Sequence, residues 1–343
     1  MKRLSTYSLG AILLFGARNM SATSEVLHWS LSTPMPEPRS DYVAGAVGGK
    51  LIIAGGTYWT GSKGNWIKKH FSASTHAFDP ESQTWEKLPD LPVPLGCAGA
   101  AVIGDKLFVI GGFTGSQVNR KIFVLEKRQG VYAWKDAGQV PFDRVYPRIV
   151  AAGSSLYVVG GTKQFEPRDP TGTCCSSKTA TRSLMVLDTN RMQQGWRELA
   201  EFPGPLRFYF SAETDGRSIW MFSGIYQAGP TDPISTYNDV SRYDIAHDKW
   251  ENEQKLPQVS QATNPPSPVF VGDGIVLIND FQKVWKLDRS KGTYRELSPL
   301  PQAAALDRFV WLDGKIIGAS GENFIDPPRR RSEWVFIGRF DAK

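Results

Sequence analysis

The chain has 343 residues, 41% of them hydrophobic, enough to bury a large core and too apolar for a disordered polymer. Its formal net charge is +6, but Lys2, Arg3 and Arg18 lie in an acid-free stretch over residues 1–24. The remainder, about +3 and dispersed, excludes a basic nucleic-acid surface.

Chain order begins with "MKRLSTYSLGAILLFGARNMSATSE". The basic start, the apolar run from Leu9 to Ala17 and the small residue Ala22 read as a secretory signal over residues 1–24. Residues 25–343 are then one secreted or periplasmic domain. No later stretch approaches the ~18 apolar residues of a membrane helix. The 33 glycines and 23 prolines favour short strands and turns.

A repeat follows. "KLIIAGG" (50–56), "KLFVIGG" (106–112), "SLYVVGG" (155–161), "SIWMFSG" (218–224), "GIVLIND" (274–280) and "KIIGASG" (315–321) each follow an apolar run and a short polar turn such as Gly48-Gly49 or Asp313-Gly314. Two β-rich runs split by such a turn predict a tight hairpin. A third run follows in each unit, as in "KIFVLE" (121–126) and "KVWKLD" (283–288), then an aromatic: Trp85, Trp134, Trp196, Trp250 or Tyr294. Six units of four strands predict an all-β radial array. The sixth unit ends without a fourth strand, and "HWSLSTPMP" (28–36) is a fourth strand, with Trp29, lacking its first three. The N-terminal strand is therefore expected to complete the last sheet and close the ring, which removes exposed sheet edges.

The paired glycines, the tryptophan after the third strand and the "LP" that follows it resemble the kelch family of six-bladed β-propellers over residues 28–340. Ser223 replaces one glycine in blade 4. In blade 5 "ND" replaces the pair and Tyr294 the tryptophan.

With strands lettered a to d from the axis outward, alternating direction puts the starts of the a strands and the ends of the b strands on one face. The long b–c connections (57–74, 162–182, 225–237 and 322–332) lie there too, and long loops are more often functional than structural. "PRSDYV", "FDRVYPR", "PLRFYF" and "LDRFVW" lead into four a strands, bringing Arg39, Arg144, Arg148, Arg207 and Arg308 toward one mouth with Asp41, Tyr42, Tyr146 and Tyr209. Either each arginine pairs with a neighbouring aspartate to seal the rim, or together they form a cationic, aromatic-lined cup for an acidic or polyhydroxy ligand. Tyr58 and Trp59 in the first long loop are candidates to stack on a sugar ring or anchor a partner.

On the same face lies "SGENFIDPPRRRSE" (320–333). Glu322, a proline-containing loop and Arg329, Arg330 and Arg331 before a hydrophobic strand resemble the active-site segment of bacterial kelch-type N-acetylneuraminate epimerases (sialic acid mutarotases). That resemblance implies Glu322 as acid/base and Arg330 or Arg331 as partner of the sugar carboxylate. The alternative is a non-catalytic module that binds a glycan or a protein. No metal or other cofactor is expected: His28, His70, His76 and His247 lack the convergence a copper site requires. Cys97, Cys174 and Cys175 leave open both free thiols and one disulfide to Cys97.

Overall fold

The computed structural model describes residues 25–60, 68–165, 177–229, 232–257, 265–279, 281–303, 305, 308–319, 321–323 and 330–341. The expected signal segment, Cys174, Cys175 and Arg329 lie outside them.

Six antiparallel four-stranded sheets carry the chain. Blade 1 runs Val43–Val47, Lys50–Ala54, Thr75–Asp79 and Thr84–Leu88 as strands a to d, and blades 2 to 5 repeat the order. The a strands begin at Gly99, Arg148, Ser211 and Ser267 in blades 2 to 5 and at Arg308 in blade 6. Each a strand touches the a strands of both neighbouring blades, all the way round, so the six form a closed inner ring. Among the described residues the only helical element is a 3-10 turn at Met192–Gln194, and no helix is long and apolar enough to cross a membrane.

Closure occurs where the orphan strand predicted it. Leu27–Leu31 pairs with Val335–Phe340, setting Trp29 opposite Gly338, and becomes strand d of blade 6. The a–b hairpins of blades 1 and 6 turn tightly because both central residues adopt positive φ, 58° and 76° at Gly48 and Gly49, 48° and 75° at Asp313 and Gly314.

Side chains alternate across each b strand, so each strand feeds two interfaces. Ile52 packs with Leu107 and Phe123 of blade 2, whereas Leu51 and Ile53 pack with Ile317 and Ile337 of blade 6. Equivalent clusters fill the other four interfaces. Stability therefore resides between blades, a sum of like interfaces.

The repeat aromatic has a shared task. Trp29, Trp85, Trp134 and Trp250 donate Nε1–H to the backbone carbonyls of Ser298, Thr33, Pro89 and Ala200, each in the connection entering the blade from its predecessor. In blade 5 the Tyr294 hydroxyl makes the corresponding bond to the Gln254 carbonyl at 2.8 Å. The substitution that weakened the repeat in sequence keeps the bond. The glycine pair answers a different need: a Cβ on Gly111, φ 71°, would stand 2.5 Å from the Arg144 carbonyl of the next blade's entry.

Candidate functional site

A seventh cluster lies outside the interblade series. Cys97, Val145, Tyr146, Phe208, Tyr209 and Ile225 pack with the partly buried Phe71, Phe113, Val118 and Phe165 at the entry end of the a strands. Asp41, Cys97, Tyr146 and Tyr209 each sit two residues before strand a of blades 1 to 4, and all four adopt positive φ, between 49° and 60°. Non-glycine residues seldom take this conformation. The Cys97 amide donates to the Asp41 carbonyl at 3.0 Å and the Tyr146 amide to the Cys97 carbonyl at 2.7 Å, chaining equivalent positions from blade to blade.

Their side chains meet. The Tyr209 hydroxyl donates to Tyr146 at 3.1 Å, and Tyr146 packs beside Cys97. Burial, with the Asp41 charge second, raises Tyr146 well above the usual phenol range and pushes the Cys97 thiol up to about 12. Cys97 is thus a free, buried and protonated thiol.

Beside this phenol pair lies an ionic cluster spanning blades 6 and 1. Thr57, Phe113, Thr162, Ile225 and Glu322 all directly follow the position of the glycine pair, and each bridges to the entry of its own blade's a strand. Glu322 is the charged member of that set. Its two-residue strand Glu322–Asn323 pairs with Arg330–Arg331, placing Arg331 directly across from it. Arg331 forms an ion pair with Glu322, their side chains 8% and 2% exposed. The Ser40 hydroxyl donates to Glu322 at 3.4 Å. Arg331 donates to Thr57 Oγ1 at 3.0 Å, Thr57 donates to Asp41 at 2.9 Å, and Lys69 donates to the same carboxylate oxygen at 3.2 Å. Burial alone would raise Asp41; Lys69, Arg331 and the Thr57 bond outweigh it and hold the carboxyl below its usual value. Burial lowers Arg331 to about 10 despite the favourable Asp41 charge.

Two more arginines complete the mouth. Arg148 and Arg308, the first residues of strand a in blades 3 and 6, line one axial cavity. Arg148 keeps some exposure because it looks onto that cavity. Surrounding protein first and Arg308 second hold its guanidinium well below the usual range. Arg148 Nε donates to the Phe210 carbonyl at 2.5 Å. Aromatic rings wall one side: Phe113 and Phe165 stack at 4.5 Å, and Lys69 lies 5.7 Å from Phe165 and 5.8 Å from Trp59.

The expected single ring of arginines divides in two. Arg39, Arg144 and Arg207 sit four residues before strand a and turn toward strand c of their own blades. Arg39 bonds the Ser74 carbonyl and His76, Arg144 bonds Ser183, and Arg207 pairs with Asp239. All three are buried, and they pin the entry segment rather than face the axis. Tyr42 likewise leaves the mouth, donating to the Ala319 carbonyl inside the core between blades 1 and 6. Asp143 pairs outward with Arg120. Tyr58 is 41% exposed and stacks on His70 at 5.1 Å. Arg330 stands opposite Asn323 in the short hairpin.

Thr57, Lys69 and Cys97 join the site without having been singled out from sequence. Aligning the triplets "SDY", "GCA", "VYP" and "FYF" by distance from strand a would have exposed the Cys97 position. Lys69 carries no such signal, because the hairpin Thr57–Thr60/Lys68–Phe71 that aims it is local to blade 1.

The Kelch motif family matches residues 38–92 and 94–130, the first blade and most of the second. Similar proteins include an N-(sulfonatooxy)prop-2-enimidothioate sulfolyase of Thlaspi arvense, 29% identical over 48% of this chain and 45% of that protein. An N-acetylneuraminate epimerase of Vibrio cholerae is 38% identical over 20% of this chain and 18% of its own length. Human Kelch-like protein 34 is 23% identical over 67% of this chain and 33% of its own length. The chain spans less than half the length of each of these relatives. The closed ring of six four-stranded sheets makes this chain a six-bladed β-propeller, and its first two blades carry kelch motifs.

Proposed function

We propose that the axial mouth binds a small acidic sugar of the N-acetylneuraminate class and that Glu322 and Arg331 interconvert its anomers. The observation that carries this reading is the gathering of Lys69, Arg148, Arg308 and Arg331 around one axial opening, with Asp41 and Glu322 as the carboxylates placed among them. The surplus of positive charge suits an anion, and guanidinium groups suit a planar carboxylate. The phenol pair and the aromatic wall suit a polyhydroxylated ring with apolar faces. Two of the similar proteins, the sulfolyase and the epimerase, are named for anionic small molecules.

Anomer exchange takes the proton from the anomeric hydroxyl, delivers one to the ring oxygen as the bond from the anomeric carbon to that oxygen breaks, and reverses both transfers when the bond re-forms on the other face. A carboxylate performs both transfers reversibly. In this reading Glu322 carries both protons, and Arg331 holds its carboxylate in place. Proton NMR of N-acetylneuraminate started from one anomer tests the reading: the protein should speed equilibration and Glu322→Gln should abolish the gain. Unchanged rates with wild-type protein reject catalysis.

One observation favours a second reading, a non-catalytic binding module: Glu322 and Arg331 already satisfy one another and are almost closed to solvent. Saturable N-acetylneuraminate binding without faster anomer exchange would select it.

A further inference from the structure

Below the mouth the axis is built in storeys. The first residue of strand a in every blade, Val43, Gly99, Arg148, Ser211, Ser267 and Arg308, borders one cavity of about 110 Å³. That is room for several waters, or for a carboxylate or sulfate group. Arg148 and Arg308 come from blades on opposite sides of the ring and repel each other. Between them Ser211 is 5% exposed, and its Oγ has no hydrogen-bond partner among the described residues. The Ser267 hydroxyl, by contrast, accepts from the Phe309 amide at 3.2 Å.

Two residues further along each strand, Gly45, Ala101, Val150, Glu213, Val269 and Val310 border the next stretch of channel. Glu213 is the one ionisable side chain of that storey, and it also borders the cavity above. Its neighbour across the sheet is Trp220, and its carboxylate accepts from the Thr214 amide at 2.9 Å. Arg148 of blade 3 and Arg308 of blade 6 are the charged groups on the shared cavity wall. The a strands of blades 1, 2 and 5 contribute Ala44, Ala100 and Pro268 there, with nothing ionisable.

We propose that the ligand's acidic group seats in the upper ring, between Arg148 and Arg308 and against the Ser211 hydroxyl, and that Glu213 beneath makes this seat pH-dependent. The inference rests on the anionic-ligand reading of the mouth and adds where the charge lies and what governs it. An anion there relieves the repulsion of two guanidinium groups and satisfies the buried hydroxyl. Burial in the apolar storey raises Glu213 to about 7. Near pH 6 the neutral carboxyl tolerates an anion overhead. Near pH 8 its charge opposes one across a few ångströms of poorly solvated channel, which should weaken binding about tenfold or more.

Calorimetric titration of inorganic sulfate and, separately, N-acetylneuraminate at pH 6 and pH 8 tests this. Wild-type protein should bind both and lose about tenfold in affinity at the higher pH. Glu213→Gln, isosteric and uncharged, should bind equally at both. Ser211→Ala should weaken sulfate about fivefold at either pH, the loss of one hydrogen bond. Absence of sulfate binding overturns the seat whatever the sugar does, and a pH slope that persists in Glu213→Gln overturns the role of Glu213. Sulfate binding with the Glu213-dependent slope but no N-acetylneuraminate binding retains the seat and rejects the acidic-sugar reading.

Discussion

Removing Arg331 should destabilise the propeller far more than a surface cation would. Glu322 is 2% exposed and its side-chain partners include Arg331 and Ser40. Arg331→Met leaves a carboxylate in a nearly dry site, and breaking one side of a buried pair costs about 3–5 kcal/mol. Glu322→Gln should cost less, about 2 kcal/mol, because Arg331 still feels Asp41 and still bonds Thr57. The double variant replaces both charges and should fall below the sum of the singles by about 2–3 kcal/mol. Urea unfolding followed by fluorescence of the 11 tryptophans measures this, provided the slopes with denaturant match. An Arg331→Met protein within about 1 kcal/mol of wild type, or strictly additive singles, would show that water reaches the pair and that the mouth is not the enclosed site described above.

The interblade aromatic bond predicts that Tyr294→Phe, which keeps the ring and removes only the hydroxyl, lowers stability by about 1 kcal/mol. Thermal denaturation checks it, and no change would reduce the bond to Gln254 to an exposed contact. Gly111→Ala should cost about 3 kcal/mol, because it combines a left-handed backbone with a Cβ 2.5 Å from the Arg144 carbonyl. Gly104→Ala, with φ 58° and open space around its Cβ, should cost about 1–2 kcal/mol, so the difference between the two isolates the steric part.

Much of this molecule was readable residue by residue. The b-strand runs, the hairpin turns and the lone strand around Trp29 implied six sheets and their closure, because each signal is local and repeats. That Glu322 and the arginine run before strand c share a face was also legible from strand polarity; that Arg331 is the one across from Glu322 came only from the hairpin register. The arginines were not sorted correctly. Arg39, Arg144 and Arg207 share the same four-residue offset from strand a, and that offset turns them outward to strand c, whereas Arg148 and Arg308 open their strands and face the axis.

The amino-acid order by itself determined the sheet count, the ring closure and the end of the barrel at which the charged loops emerge. Those follow from period, turn chemistry and alternation, which act within a few residues. Only the tertiary structure decided which side chains meet on the axis. The left-handed backbone at Asp41, Cys97, Tyr146 and Tyr209 and the apolar storey around Glu213 each depend on contacts between blades that are far apart along the chain, and the hairpin that delivers Lys69 is a local pairing of blade 1 that the repeat does not encode.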